Sequence, residues 1–213
     1  VTTLFADLTG YTALLQELGT EDMHGLLTAF YDRFDAIIRR LGGTVDRHIG
    51  DCVMAVFGAP VSYGNDAEHA LRAALDMHQA MAELSRHYGR ELSVHIGVAA
   101  GNVVFSPAGM GAMKETEFTL TGDSVNLASR LADEASGTET LITRFIYRSL
   151  SDKIDCDPLG SLTVKGFEKP IQVYRLRGFR DQGVDHPLIG RAAELASFGG
   201  LLRDCRETGR GGV

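Results

Sequence analysis

The period of the apolar positions changes several times along the chain, and each change marks an element. The opening VTTLFADL is β-branched and apolar and runs into Asp7 and a Thr9-Gly10 breaker, which predicts a buried strand followed by a tight loop. From Glu21, Leu26/Leu27, Phe30, Phe34, Ile37/Ile38 and Leu41 recur every three or four positions until Gly42-Gly43. That is the spacing of an amphipathic helix of about five turns. VDRHI and CVMAVFG flank Gly50-Asp51, a turn-forming pair, so this stretch predicts a hairpin with Asp51 at a solvent-facing tip. Pro60 ends its second strand. Asn65 with Glu68 reads as a capping pair opening a helix whose stripe is Ala67, Ala70/Leu71, Ala74, Met77, Met81 and Leu84, the methionines being core filler.

The second half continues in the same way. LSVHIGVAAGNVVF reads as a strand that ends in glycine-bearing chain, Ser106 to Ala112 as a flexible Gly/Ala-rich arm, and ETEFTL as renewed extended structure. In GDSVNLASRLADEAS, Val125, Leu127/Ala128 and Leu131/Ala132 keep helical spacing up to Gly137, placing Asn126 and Arg130 on one helix face. TLITRFIYRSL adds a strand and a short helix. LTVKGFEKPIQVYRL adds a closing hairpin with Lys165-Gly166 at or near its turn. This order of elements predicts an α/β sandwich with a mixed sheet. GFRDQGVDH then reads as a polar linker, and PLIGRAAELASFGGLLRDCRE as a helical segment opening a further domain. The start at Val1 and the ending TGRGGV suggest a piece of a longer protein with regulatory domains beyond residue 213.

Composition narrows the function more than the fold. With 213 residues and 44% hydrophobic content the chain can bury one sizeable core, and one main domain is expected. A net charge of −7 and the lack of any Lys/Arg run argue against a nucleic-acid surface, which needs clustered cations against phosphates. Cys52, Cys156 and Cys205 are odd in number and lack CxxC spacing, so they read as plain thiols in a reducing, cytoplasmic setting. No apolar run reaches the roughly 18 residues of a membrane span, so no membrane contact is expected in this segment.

Several polar residues could carry chemistry. If the strands ending in Asp7 and Asp51 are neighbours, two carboxylates project from one sheet edge, and a divalent cation such as Mg²⁺ would relieve their repulsion. Aspartates also occupy turns simply to bond their own backbone. Thr9, Gly10, Tyr11 and Thr12 lie where the chain enters a helix and could cradle a polyphosphate, or form an ordinary turn. Asn126 and Arg130 suit a ribose and a phosphate, and equally a wet helix face. Lys165 could hold a terminal phosphate or be merely solvated. His48 and His95 have no partner at metal spacing and read as structural.

Taken in order, FADLTGYT, DRHIGDCVMAVFGAP, FTLTGDSVNLASRL and the closing LTVKGFEKPIQVYRL closely resemble the class III adenylyl/guanylyl cyclase catalytic domain over about residues 1–177. The resemblance implies a ferredoxin-like, mixed but mainly antiparallel sheet flanked by helices. It implies an adenylyl cyclase that converts ATP to 3′,5′-cyclic AMP and pyrophosphate, with two divalent cations, Mg²⁺ or Mn²⁺, on Asp7 and Asp51. It also implies that Asn126 and Arg130 orient the ribose and stabilise the transition state, and that Lys165 meets the outer phosphates. In such domains these last residues come from the opposite subunit of a head-to-tail homodimer. Arg47 stands where adenylyl members usually carry a base-reading Lys, and Thr119 matches the partner base contact. Arg, donor-only and always charged, complements adenine N1 and opposes the N1–H and N2–H donors of guanine. The alternatives are a regulatory pseudo-cyclase that binds nucleotide without turnover, and a cyclase for GTP or a pyrimidine triphosphate. The organisation implied is a cyclase domain over 1–177, a linker over 178–186 and the truncated start of a second domain over 187–213, similar to the opening of ATPase domains but without a GxxxxGK[ST] loop.

Overall fold

The computed structural model describes residues 1–107, 118–164, 167 and 169–180, with side chains for all of these except 105–107 and 118–120. Val1–Arg180 form one compact unit. The expected linker and tail after residue 180, Cys205, and most of the Gly/Ala-rich arm lie outside the described residues.

The elements follow in the order β1 (Thr2–Leu8), α1 (Tyr11–Arg40), β2 (Gly43–Ile49), β3 (Cys52–Phe57), α2 (Asp66–Tyr88), β4 (Val94–Ala100), β5 (Val104–Pro107), β6 (Phe118–Thr121), α3 (Asp123–Glu134), β7 (Thr140–Thr143), α4 (Arg144–Ser149), β8 (Ile154–Leu162) and β9 (Ile171–Phe179). Seven strands form one sheet in the order β2-β3-β1-β4-β7-β9-β8, while β5 and β6 pair as a separate antiparallel ribbon. Only β4 and β7 run parallel; the other neighbours are antiparallel. The sheet is therefore mixed and mainly antiparallel, as the resemblance implied.

Alternation along the central strands sorts side chains to two faces. Leu4, Ala6 and Leu8 of β1, Val53, Ala55 and Phe57 of β3, and Val94, Ile96 and Val98 of β4 pack against Phe30, Phe34, Ile38, Leu71, Met77, Met81 and Leu84 of α1 and α2. Phe5, Met54, Val56 and Ala99 face the other way, onto Ala128 and Ala132 of α3. A β-carbon on Gly97 would come within 2.1 Å of the Ala128 carbonyl oxygen and 2.4 Å of the Ala132 nitrogen, so the bare glycine is what lets α3 lie against the sheet. At twelve residues, α3 is too short to cover that whole face. The β2 end stays open, with Ile49 52% exposed.

Three local expectations change. The first helix begins at Tyr11, ten residues before Glu21, and bends at Gly19, which takes φ 76° and ψ 173° inside it. Leu14, Leu15 and Leu18 supply a first apolar stretch that is only partly buried, and the break at Gly19 hides its continuity with the later stripe. Asn65 does precede α2, but its side chain does not cap the helix. Glu68 instead binds Arg72 and Lys153 at 2.8 Å each. Finally, the first strand of the closing hairpin starts at Ile154, and its irregular register near Pro158 masks the strand pattern in the sequence.

Candidate functional site

Antiparallel pairing of β1 with β3 aligns Asp7 with Cys52, the residue following Asp51. The Leu8 N–H donates to the Asp51 carbonyl at 3.2 Å, which fixes the Gly50-Asp51 turn beside the end of β1. The two aspartates expected to act together are thus brought together. Asp51 is half-buried rather than fully solvent-facing. Its carboxyl is held above its ordinary value, first by burial and then by the neighbouring Asp7 charge, with its own backbone N–H and His95 pulling the other way. Cys52, between the acids, is a free thiol pushed up to about 12, chiefly by burial and then by Asp7 and Asp51, and is inert as a nucleophile. Cys156 is likewise free and pushed up to about 11 by burial.

His95 is a site residue that sequence reasoning missed. Pairing of β1 with β4 sets it directly opposite Asp7. Its Nε2 donates to Asp7 Oδ2 at 3.1 Å, while Nδ1 lies 3.2 Å from Thr9 Oγ1. It joins the acids to the loop that follows β1. Cross-strand register carries this information, and register between strands 88 residues apart leaves no mark on local spacing.

That loop ends in Gly10, which takes φ 72° at the start of α1 and offers no side-chain cap, and no acid occupies the first helical turn. The first intrahelical bond runs from the Leu14 N–H to the Gly10 carbonyl. The N–H groups of Tyr11 and Thr12 therefore remain available to an anion at the positive end of the helix. Thr9 plays a different part from the one expected, since its N–H already donates to the Ser93 carbonyl at 2.9 Å and its hydroxyl is engaged with His95.

Arg47 reaches this region through a β-bulge. The β2–β3 register jumps between Val45 and Arg47, leaving Asp46 as the extra residue. The jump turns Arg47, opposite Met54, toward the face that carries Phe5 and Asp7, and turns His48 toward α1. Asp46, whose side chain is 3% exposed, receives the Arg47 Nε–H at 2.6 Å, leaving the outer nitrogens of a 43%-exposed guanidinium free to point outward.

Asn126 and Arg130 sit where α3 turns away from its own sheet, opposite buried Ser124, Ala128 and Leu131. Both are exposed, and Arg130 pairs with Asp133 at 3.0 Å. Among the described residues no hydrogen bond or ion pair joins either one to Asp7 or Asp51. Thr119 is placed by its backbone in β6, opposite Ser106, and its side chain lies outside the described residues, as does Lys165.

The arrangement suits a divalent cation. Two adjacent carboxylates, neither paired with an arginine or lysine among the described residues, are an acceptor set short of positive charge, and two carboxylates plus phosphate oxygens are how Mg²⁺ is commonly held. Among the described residues no helix is long and apolar enough to cross a membrane.

Comparison with known proteins agrees with this geometry. The family described as the adenylate and guanylate cyclase catalytic domain matches residues 1–178. Adenylate cyclase 1 of Rhizobium meliloti is 29% identical over 184 residues, covering 84% of this chain and 27% of that protein. The receptor-type guanylate cyclase gcy-8 of Caenorhabditis elegans is 28% identical over 189 residues, covering 85% and 16%. The chain thus spans well under half the length of these relatives. Among solved structures, the adenylyl cyclase CyaB from P. aeruginosa superposes with a TM-score of 0.78 at 33% identity, over 84% of this chain and 94% of that one. The guanylate cyclase domain of RhGC from Catenaria anguillulae, in complex with GTP, gives 0.76 at 28% identity over 84% and 96%. With the family match covering residues 1–178, the stretch that holds the acids, the loop after β1 and α3, the chain belongs to the class III adenylate and guanylate cyclase catalytic domain family.

Proposed function

We propose that the chain is an adenylyl cyclase domain that forms 3′,5′-cyclic AMP and pyrophosphate from ATP at a seam between two copies. The observation that supports this reading is the meeting of Asp7, Asp51 and the uncapped start of α1, and Asn126 and Arg130, exposed on α3, would complete the site from a second copy. Two divalent cations, Mg²⁺ or Mn²⁺, held by Asp7 and Asp51 would supply neutralisation of the triphosphate and a lower pKa for the attacking hydroxyl. In the reaction the ribose 3′-oxygen bonds to the α-phosphorus, the bond from that phosphorus to the pyrophosphate oxygen breaks, and the hydroxyl proton leaves to solvent. The Tyr11 and Thr12 N–H groups bind phosphate oxygens. Asn126 orients the ribose, Arg130 meets charge growing on the phosphoryl oxygens, and Lys165 holds the outer phosphates.

Arg47 and Thr119 read the base. With its Nε tied to Asp46, Arg47 presents donors only, which favours the N1 acceptor of adenine over the N1–H of guanine. Relatives in the same family carry adenylate and guanylate cyclase names, so selectivity is the point to test. We expect cyclic product from ATP with Mn²⁺ in preference to GTP, CTP and UTP, and none from Asp51→Ala. No product from either protein defeats the catalytic reading in favour of a nucleotide-binding regulator, and equal product from both defeats the reading of Asp51 as part of the catalytic site. Mixing inactive Asp51→Ala with inactive Arg130→Ala restores about a quarter of wild-type activity if copies reassort at random, because half the dimers then hold one intact site of two.

A further inference from the structure

The turn that carries Asp51 joins β2, the edge strand of the sheet, to β3, so it has a neighbouring strand on one side only. A carboxylate on a two-residue turn at a sheet edge would swing freely unless the turn were held from elsewhere. Both of its carbonyls are in fact held. The Asp51 carbonyl accepts from the Leu8 N–H at 3.2 Å, and the Gly50 carbonyl accepts from the Tyr31 hydroxyl of α1. The Tyr31 ring also stacks on His48, with centroids 4.2 Å apart and planes inclined by 17°. One helical turn further along, Asp35 Oδ1 lies 3.0 Å from His48 Nε2, and Asp35 Oδ2 accepts from Arg39 at 2.9 Å. The bulge at Asp46 is what turns His48 to the α1 face and makes this grip possible. Tyr31 stands close enough to the acids that the Asp51 charge adds to burial in raising its phenol pKa.

We infer that Tyr31 is a positioning residue for the cation site: through the Gly50 carbonyl and the His48 ring it fixes the Gly50-Asp51 turn, so that the Asp51 carboxylate alone is left to move. It touches neither nucleotide nor cation. Groups that orient a ligand in this way typically matter about tenfold or more in metal affinity. The inference rests on reading Asp51 as a cation ligand.

The test is Tyr31→Phe, which keeps the ring and its stack and removes the hydroxyl. Mn²⁺ binding, followed by electron paramagnetic resonance in the presence of 3′-deoxy-ATP, which lacks the reacting hydroxyl, should weaken about tenfold. In turnover with ATP, the Mn²⁺ concentration for half-maximal rate should rise by a similar factor, with kcat at saturating Mn²⁺ within about threefold of wild type and the ATP/GTP ratio unchanged. His48→Phe, which keeps a stacked ring and loses the tie to Asp35, should give a smaller shift in the same direction. Unchanged Mn²⁺ binding in Tyr31→Phe overturns the inference, as does a kcat loss without a change in Mn²⁺ requirement. Asp51→Asn separates the two levels: if it also leaves Mn²⁺ binding intact, the cation reading itself fails, whereas loss in Asp51→Asn with no change in Tyr31→Phe removes only the role of Tyr31.

Discussion

The two ends of the large sheet treat their carboxylates in opposite ways. Around β9 three acids face guanidiniums: Asp157 accepts from Arg175 at 2.8 Å and Arg177 at 2.6 Å, Glu139 from Arg175 at 2.6 Å, and Asp155 from Arg180 at 2.8 Å. Hydrogen bonds from Arg175 hold both Glu139 and Asp157 below their ordinary values. At the β1–β3 end, Asp51 is instead raised by burial and by Asp7, and no arginine or lysine among the described residues pairs with either acid. Both ends use the same residue type in the same sheet. The difference is that one end matches its carboxylates with guanidiniums and the other leaves them without an arginine or lysine partner among the described residues, the pattern expected of acids that would hold a ligand.

Removing an acid at the uncompensated end should give the largest effect. Asp7→Ala is expected to lower cyclic nucleotide formation with Mn²⁺ by roughly 100-fold or more, with circular dichroism unchanged. His78 sharpens the comparison from a third direction, as a buried group that gives up its charge instead of pairing it. Its Nε2 lies 2.8 Å from Thr140 Oγ1, and burial lowers its pKa to about 4. The unfolded chain, with His near its ordinary 6.5, binds the extra proton first as pH falls. This contribution is therefore intact above pH 6.5 and lost as pH drops toward 4, by on the order of 3 kcal/mol. His78→Gln should flatten that stretch of the stability profile measured by urea unfolding.

A smaller effect belongs to the edge strand β2, beside the uncompensated acids. Arg47→Glu reverses the charge offered to the base and should shift the ATP/GTP rate ratio roughly tenfold toward GTP; an unmoved ratio takes Arg47 out of the base pocket. The smallest is expected at the compensated end. Arg175→Met strands Glu139 and weakens the hold on Asp157, and should lower Tm by roughly a few degrees while leaving the Mn²⁺ requirement of the enzyme untouched.

Much of this was legible in the sequence, for identifiable reasons. The β2–β3 hairpin, α2 and α3 show because their apolar periods are unbroken and glycine or proline closes them. Asp7 and Asp51 were placed at strand ends, and pairing of β1 with β3 makes them neighbours. The early start of α1 was hidden by Gly19, and β8 by the irregularity at Pro158. His95 and Tyr31 could not be read at all, because each acts across a strand register or a helix-to-turn contact that local spacing does not encode. The bulge at Asp46 decides which face Arg47 and His48 occupy, yet a single extra residue in a strand looks like ordinary alternation.

If Asp51 carries charge left uncompensated for a cation, neutralising it should spare the fold and abolish the response to metal. The most direct measurement is the Tm of Asp51→Asn and of the wild type, each with and without Mn²⁺. Because the substitution removes repulsion with Asp7 and keeps the shape of the side chain, the metal-free Tm should equal or exceed that of the wild type, and the rise that Mn²⁺ gives the wild type should be lost. A lower metal-free Tm with the Mn²⁺ response preserved would instead make Asp51 a structural acid like those around β9, with no part in holding a cation.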